Sequence, residues 1–234
     1  MATYVVGDIH NEYEKLCNIL KQIRLKGDDT IYLLGDVFDR GGERANPVDT
    51  YFELLKLEEQ CIWIRGNHDH WLADYIYQYY ITKESKRGKL LPYTYNSFKL
   101  LGERLTEIDL LNLADHIMTL PLQCELRIGN TCYLLAHALT SSPDLPKEGN
   151  DYYMMADGAP ADFVKTGIPG YISLLGHQVT DGMLSCKDGH YLDAKGKSIW
   201  VNDKENVYYL DCGSGFTDGH LACLCLETGE RFYA

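Results

Sequence analysis

The sequence predicts an α/β protein, and two observations support this fold class. In the first 70 residues, three short apolar runs each end in polar residues, and helical periodicity follows each run. This is the pattern of repeated βα units. The second half of the chain contains mainly short strand-like runs. Because the carboxyl ends of parallel strands meet at one edge of a sheet, we expect the three polar tips to lie together.

The first βα unit begins near the start of the sequence. Residues 3–9 read as a strand that ends in Gly-Asp, directly before His10 and Asn11. Asn11 and Glu14, three residues apart, resemble a capping box at the start of a helix. Apolar residues at helical spacing predict that helix, at Leu16, Ile19, Leu20 and Ile23.

The second unit carries the sequence GDVFDRG at residues 35–41, directly after the apolar run 31–34. A buried strand that delivers a carboxylate to its tip is typical of ligand sites in open α/β sheets, so Asp36 is the first candidate metal ligand. Taken alone, an Asp-rich glycine turn is more often an ordinary tight loop. Residues 47–57 read as the second helix, and 61–64 as a third strand that ends in RGNHDH.

The rest of the chain is predicted in coarser terms. Residues 71–116 are helical and Tyr-rich. The helical spacing of the apolar and aromatic residues in their first part, 71–79, indicates core or lid packing rather than an aromatic binding stack. Thr106 with Asp109 predicts a helix start within them. Strand-like runs follow at 126–128, 131–136, 172–175, 207–210 and 221–226. Residues 141–170 hold four of the seven prolines, so we expect a long surface loop near the site.

Length and composition exclude several classes of protein. The 234 residues suit one domain, 1–234, with the Tyr-rich insertion at about 71–116. A net charge of -12 argues against a sequence-independent grip on nucleic acid, which needs Lys and Arg. No apolar run is long enough to span a membrane, and no signal segment is evident, so a cytoplasmic location without a membrane partner is expected. The eight cysteines include no C-x-x-C pair and are expected to be buried reduced thiols.

The polar residues at the strand tips form a candidate metal-binding set. Two carboxylates, an amide oxygen and imidazoles suit a pair of divalent cations such as Mn²⁺, Fe or Zn²⁺, with one carboxylate shared. Any one of these histidines alone would more often be structural. The set comprises Asp8, His10, Asp36, Asn67, His68, His137 after YLLA and His177 after SLLG.

Five motifs in this order resemble those of a known family. GDIH, GDVFDRG, RGNHD, AHA and GHQVTDG are similar to the calcineurin-like metallophosphoesterases, and specifically to the short bacterial and phage-type serine/threonine phosphatases of the phosphoprotein phosphatase branch. The resemblance covers nearly the whole chain, apart from residues 71–116 and 141–170. It implies a four-layer α/β/β/α sandwich of two mixed sheets flanked by helices.

The resemblance also implies roles for individual residues. One metal would take Asp8, His10 and the bridging Asp36, and the other would take Asp36, Asn67, His137 and His177. Manganese is favoured, with iron or zinc as alternatives. Asp39 and His68 would form the acid dyad, so that a metal-bridging hydroxide attacks phosphorus and His68 protonates the leaving group. Arg40 and Arg65 would bind the substrate phosphate, although an ion pair with a neighbouring acid is an equal alternative for Arg65.

The chain departs from this branch at two places. Its members usually present a further phosphate-binding Arg from the second half, and here no Arg lies between Arg127 and Arg231. Lys147 or Lys165 is the candidate substitute. Asn11 stands where the branch normally has Gly, and we expect it to cap the following helix.

Details of the motifs favour one substrate class over others. Many related phosphodiesterases carry G-H-x-H where this chain has Val179, which favours phosphomonoesters, above all phosphoserine and phosphothreonine in proteins. GNHD in place of GNHE is also found in the symmetrical diadenosine tetraphosphatases of the branch, which are the alternative. A noncatalytic binding module is the alternative of another class, and the retained acid dyad argues against it.

Overall fold

The computed structural model describes residues 1–156 and 158–234. Eleven strands lie in these residues: β1 (Thr3–Val6), β2 (Thr30–Leu33), β3 (Cys61–Trp63), β4 (Gln123–Ile128), β5 (Thr131–Ala136), β6 (Ile172–Leu175), β7 (Gly189–Tyr191), β8 (Trp200–Asn202), β9 (Val207–Tyr209), β10 (Ala222–Cys225) and β11 (Arg231–Tyr233). They form two sheets, with the strand orders β11-β10-β1-β2-β3 and β4-β5-β6-β9-β8-β7.

Both sheets are mixed. In the first, β1, β2 and β3 are parallel, and β10 pairs antiparallel with β1 and with β11. In the second, β5, β6 and β9 are parallel, while β4, β8 and β7 add antiparallel pairs. The parallel strands of each sheet therefore end at the same edge, as the βα pattern of the sequence predicts.

Eight helices accompany the sheets in the described residues: α1 (Tyr13–Ile23), α2 (Pro47–Lys56), α3 (Asn67–Ile81), α4 (Glu84–Arg87), α5 (Ser97–Gly102), α6 (Glu107–Thr119), α7 (Asn150–Met154) and α8 (Ala161–Thr166). None of them is long and apolar enough to cross a membrane.

Three apolar clusters define the layers. One lies between the sheets, where Val5 and Leu224 of the first sheet meet Leu135 and Leu174 of the second. A second fills the space between the first sheet and α1, α2, α3 and α6. The third packs α7 and α8 against the outer face of the second sheet. The expectation of two mixed sheets flanked by helices is confirmed.

Several local predictions need correction. The expected loop at 141–170 contains α7 and α8, which have five and six residues and are too short to show a clear helical period. The strands β7, β8 and β11 have three residues each and are likewise too short for the sequence pattern to predict. All eight cysteines are free, but only three are fully buried. The single domain at 1–234 with an insertion stays a prediction.

The two predicted helix starts have different outcomes. Thr106 and Asp109 form a capping box at α6, as predicted. The predicted cap of α1 is wrong, because Glu12 occupies the N-cap without a side-chain bond. Asn11 lies one residue too early to cap that helix.

Candidate metal centre

The strand tips of both sheets converge on one polar site. Asp8, Asp36 and Asn67 follow β1, β2 and β3 of the first sheet, while His137 and His177 follow β5 and β6 of the second. Residues from distant parts of the sequence therefore meet where the parallel strands of both sheets end, which is where α/β sheets bind their ligands.

The first group of candidate ligands contains Asp8, His10 and Asp36, whose ligand atoms all lie within 4.8 Å of one another. His10 Nε2 is 3.9 Å from Asp8 Oδ2 and 3.8 Å from Asp36 Oδ2. The other ring nitrogen, Nδ1, lies 3.1 Å from the Phe38 carbonyl oxygen. A hydrogen bond donated to that carbonyl directs Nε2 towards the two carboxylates, which is how ligating histidines are commonly oriented.

The second group shares Asp36 with the first and adds His137 and His177. Asn67 Oδ1 is 2.9 Å from His137 Nε2 and 3.0 Å from His177 Nδ1. These two nitrogens are 3.2 Å apart, and Asp36 Oδ1 is 3.4 Å from His137 Nε2. His137 Nδ1 lies 2.8 Å from the Leu34 carbonyl oxygen, which fixes the ring.

These residues fit two divalent cations. Ligand atoms bound at about 2.0–2.2 Å from a metal lie roughly 3 Å from each other, and the neighbouring donors of the second group are 2.9–3.4 Å apart. Asp8 and Asp36 are each only 2% exposed, and neither forms an ion pair with Lys or Arg in the described part of the chain. Buried carboxylates need such compensation, which cations would provide.

The pKa shifts of His10 and His177 agree with this fit. Burial lowers the pKa of both His10 and His177 to about 4, so both imidazoles are neutral at pH 7 with a lone pair available. Burial would lower the pKa of His137, but the charges of Asp36 and Asp8 raise it to about 10, so His137 would release a proton on binding a cation. Burial alone would raise the pKa of Asp36, but His137 and the other imidazoles around it hold that pKa below its usual range. Burial raises the pKa of Asp8 well above its usual value. A nearby cation would offset the cost of ionising Asp8.

The two members of the predicted acid dyad lie beside these groups. His68 Nδ1 is 3.1 Å from Asp39 Oδ2, and both side chains are almost completely buried. His68 Nε2 faces the centre, 4.0 Å from Asp36 Oδ2 and 3.4 Å from Arg40 Nη2. The Arg40 guanidinium lies over the Phe216 ring, 5.1 Å from its centroid. This arrangement can hold an anionic group and donate a proton next to it.

The other predicted phosphate-binding residues are less directly placed. One Arg65 guanidinium nitrogen donates to the Met118 carbonyl at 3.2 Å. Among the described residues, Arg65 has no carboxylate within ion-pair distance, and its role at phosphate stays a prediction. Lys147 and Lys165 are exposed, and the Lys147 ammonium lies over the Tyr152 ring.

Backbone strain is concentrated at this site. In the described part of the chain, eight residues other than glycine have positive φ, and six belong to the site loops. Such conformations cost of order 1–3 kcal/mol each and persist only where the surroundings enforce them. The six are His10, Asn11, Asp36, Asp39, Arg40 and His177.

Two glycines leave room for the carboxylates. A Cβ atom on Gly66 would lie 2.2 Å from Asp36 Oδ1, and one on Gly176 would lie 2.2 Å from Asp8 Oδ1. The motifs RGNHD and GHQ therefore need glycine for space at these positions.

Sequence reasoning missed the role of Asp69. Its Oδ1 accepts from the amides of Val37 and Phe38, and its Oδ2 accepts from the Gly66 amide and the Trp63 indole. The side chain thus joins the 35–41 loop to the start of α3. Its place inside RGNHD was a signal for such a role.

Asn11 also differs from expectation. Its side-chain amide donates to Ser97 Oγ at 3.0 Å and to Asn96 Oδ1 at 3.3 Å, instead of capping α1. It is completely buried and has a φ of 62°, in the left-handed region that favours glycine. The side chain links the first site loop to the Tyr-rich segment.

Comparison with known proteins identifies the family of the chain and several relatives. A sequence model of the calcineurin-like phosphoesterases matches residues 1–181. Symmetrical bis(5'-nucleosyl)-tetraphosphatases from Enterobacter sp. (strain 638) and Salmonella paratyphi B are 37% identical to this chain over 75 residues, which is 31% of the chain. The matched part spans only 26% of the length of each of these relatives.

Solved structures share the fold over the full chain. A candidate diadenosine tetraphosphatase aligns with 100% of this chain and 92% of its own, with a TM-score of 0.64 and 16% identity. A serine/threonine phosphatase from Saccharomyces cerevisiae with similarity to human phosphatase PP5 aligns with 100% of this chain and 79% of its own, with a TM-score of 0.56 and 15% identity. At such low identity these two likenesses concern the fold alone.

Proposed function

The chain belongs to the calcineurin-like phosphoesterase family, and from this premise we propose that it is a dinuclear-metal-dependent phosphatase acting on phosphomonoesters. Phosphoserine and phosphothreonine in proteins are the proposed substrates. The observation that carries the proposal is that two groups of candidate ligands share Asp36, with His68 and Asp39 directly beside them. A binding module would have no use for a buried acid dyad next to such a centre.

The proposed site residues divide the reaction between them. Asp8, His10, Asp36, Asn67, His137 and His177 would hold two divalent cations. When bound, these cations would polarise the phosphoryl oxygens and lower the pKa of the attacking water. Arg40 would bind the phosphate oxygens and orient phosphorus for in-line attack.

The leaving alkoxide requires a proton. His68 Nε2 is on the side of the ring that faces the centre, while Nδ1 is held by Asp39 at 3.1 Å. As the P–O bond breaks, the proton would pass from Nε2 to the leaving oxygen, and Asp39 would stabilise the charged imidazole before that transfer.

The donor set favours manganese or iron over softer ions. Its members are carboxylates, an amide oxygen and imidazoles, and no thiolate belongs to either group of candidate ligands in the described chain. Manganese is the proposed metal, with zinc as a further alternative. A cytoplasmic location is also part of this proposal, on the sequence composition alone.

Hydrolysis of diadenosine tetraphosphate is the second candidate function. It is favoured by the 37% identity over 75 residues to proteins that bear the name symmetrical bis(5'-nucleosyl)-tetraphosphatase. The fold does not distinguish the two substrates, because structures bearing both kinds of name share it.

The test compares three substrates on manganese-loaded protein: p-nitrophenyl phosphate, a panel of phosphoserine and phosphothreonine peptides, and diadenosine tetraphosphate. We expect turnover of the peptides, and a fall of about 10²–10⁴-fold for them in His68→Asn. Rapid cleavage of the dinucleotide with negligible peptide turnover would establish the second candidate. Wild type that binds metal but cleaves none of the three would contradict the enzyme proposal.

A further inference from the structure

The Tyr-rich segment before α6 reaches the acid dyad. Tyr93, in the connection between α4 and α5, donates its hydroxyl to Asp39 Oδ2 at 2.6 Å. This is the same carboxylate oxygen that lies 3.1 Å from His68 Nδ1. The phenol and the imidazole therefore both contact the same carboxylate oxygen. The phenol belongs to a part of the chain that lies outside the five sequence motifs.

Ser97, the first residue of α5, fixes the rest of Asp39. Its Oγ accepts from the Asp39 amide at 2.7 Å, and its own amide donates to Asp39 Oδ1 at 3.4 Å. Asp39 is completely buried and has a φ of 68°. Its backbone and both carboxylate oxygens are thus tied in a strained conformation by residues 93–97.

Two aromatic side chains, one from the same segment and one from α3, pack against the His68 ring. The Tyr95 ring meets it edge to face with centroids 4.4 Å apart, and the Trp71 ring does so at 5.0 Å. Tyr95 and Trp71 stack on each other with an angle of 2° between their planes. These contacts limit rotation of the imidazole about its side-chain bonds.

If Tyr93 contributed only to packing, its hydroxyl would not need Asp39 as a hydrogen-bond partner. Tyr93 is only partly buried, yet its hydroxyl points inward to a buried carboxylate. Burial and the Asp39 charge raise the pKa of Tyr93 far above its usual value, so the phenol stays a proton donor.

We infer that Tyr93 is a positioning residue for the proton transfer from His68, acting through Asp39. With Oδ2 held by the phenol, the carboxylate presents one fixed acceptor to Nδ1, and Nε2 is directed at the leaving oxygen. The inference rests on the proposed function of His68 as general acid. The Tyr-rich segment would then contribute to the reaction as well as to packing.

The variant Tyr93→Phe removes the hydroxyl and keeps the ring. Tyr75→Phe is the matched control, because Tyr75 lies in the same aromatic cluster, with its centroid 5.0 Å from that of Tyr93, and has no hydroxyl hydrogen bond among those of the described residues. Both are assayed with a phosphoserine peptide, whose alkoxide needs a proton, and with p-nitrophenyl phosphate, whose phenolate leaves without one.

We expect Tyr93→Phe to lower kcat for the peptide about tenfold, with kcat for p-nitrophenyl phosphate within about twofold and KM for both substrates unchanged. Tyr75→Phe should change neither. Equal losses on both substrates at wild-type metal content would assign Tyr93 a merely structural role and overturn the inference, as would no loss on either. His68→Asn tests the proposed function separately, since a general acid requires the same substrate dependence in that variant.

A spectroscopic measurement tests the inference whether or not these substrates are turned over. In zinc-loaded protein, the hydrogen-bonded Nδ1 proton of His68 should give a downfield NMR signal, assigned by its absence in His68→Asn. Tyr93→Phe should move this signal further downfield, because Asp39 Oδ2 then accepts from the imidazole alone. An unchanged signal would overturn the inference.

Discussion

Asp36 Oδ1 accepts a hydrogen bond of 2.9 Å from the backbone amide of His68. The residue shared by both groups of candidate ligands and the proposed general acid are therefore joined through the main chain. Asp39, only three residues from Asp36, holds the imidazole of the same histidine. The loop at 35–41 and the start of α3 thus form one unit, in which the candidate ligand Asp36 and the proposed acid His68 keep a fixed distance.

Substitution of Gly66 should break this unit. Its φ of -90° suits any residue, so only space excludes a side chain, and the added Cβ of Gly66→Ala would lie 2.2 Å from Asp36 Oδ1. We expect the variant to lose metal and activity. Gly88→Ala is the control, since a Cβ there meets nothing within 4 Å, and it should change stability by less than about 1 kcal/mol. Full metal content in Gly66→Ala would contradict the crowding argument.

Replacement of Asp69 should destabilise the fold. Asp69→Asn keeps one acceptor oxygen but turns an amide group towards N–H donors, and each buried donor left without an acceptor costs about 1–3 kcal/mol. Urea unfolding measures the loss. Asp74→Asn, on the exposed face of the same helix, should stay within about 0.5 kcal/mol of wild type. A wild-type unfolding midpoint for Asp69→Asn would show that the four hydrogen bonds contribute little.

Asp29 should make stability depend on pH. Its carboxylate accepts from the amides of Lys26 and Ala2, and these bonds, the first in particular, lower its pKa below the ordinary value. A group with a depressed folded pKa stabilises the protein above its unfolded pKa, and that contribution is lost as the pH falls through the folded pKa.

The comparison is between wild type and Asp29→Asn at two pH values. At pH 7 the variant should be less stable by about 1–3 kcal/mol, and the difference should shrink as the pH falls below about 4. The exposed Asp203→Asn is the control and should follow wild type throughout. A difference that is constant from pH 7 to pH 3 would refute this assignment of the carboxylate.

The sequence was informative about the polar residues that lie at the ends of strands. Short apolar runs ending in Gly-Asp or His mark the ends of parallel strands, and β-sheet topology then brings those ends together. For this reason the sequence predicts that residues as far apart as Asp8 and His177 share one site, and the His177 amide lies 3.2 Å from Asp8 Oδ1.

The contacts that the sequence did not reveal are those made by side chains outside repeating patterns. Nothing in the spacing of Tyr93 distinguishes a phenol bound to the buried Asp39 carboxylate from the neighbouring tyrosines. Capping is a local pattern and therefore predicts a role for Asn11 at the nearest helix, whereas its partner Ser97 lies 86 residues away. Such pairings depend on tertiary packing, and no periodicity or motif in a single sequence indicates them.

Asp36 is proposed to bind metal and Asp39 to hold His68, and measurement of metal content tests these separate roles most directly. Asp36→Asn and Asp39→Asn are each loaded with manganese, desalted and analysed for bound metal by mass spectrometry, beside turnover of a phosphoserine peptide. Asp39→Asn should keep the wild-type metal content while turnover falls about 10²–10⁴-fold, and Asp36→Asn should lose metal. Loss of metal in Asp39→Asn, or full metal content in Asp36→Asn, would contradict the account.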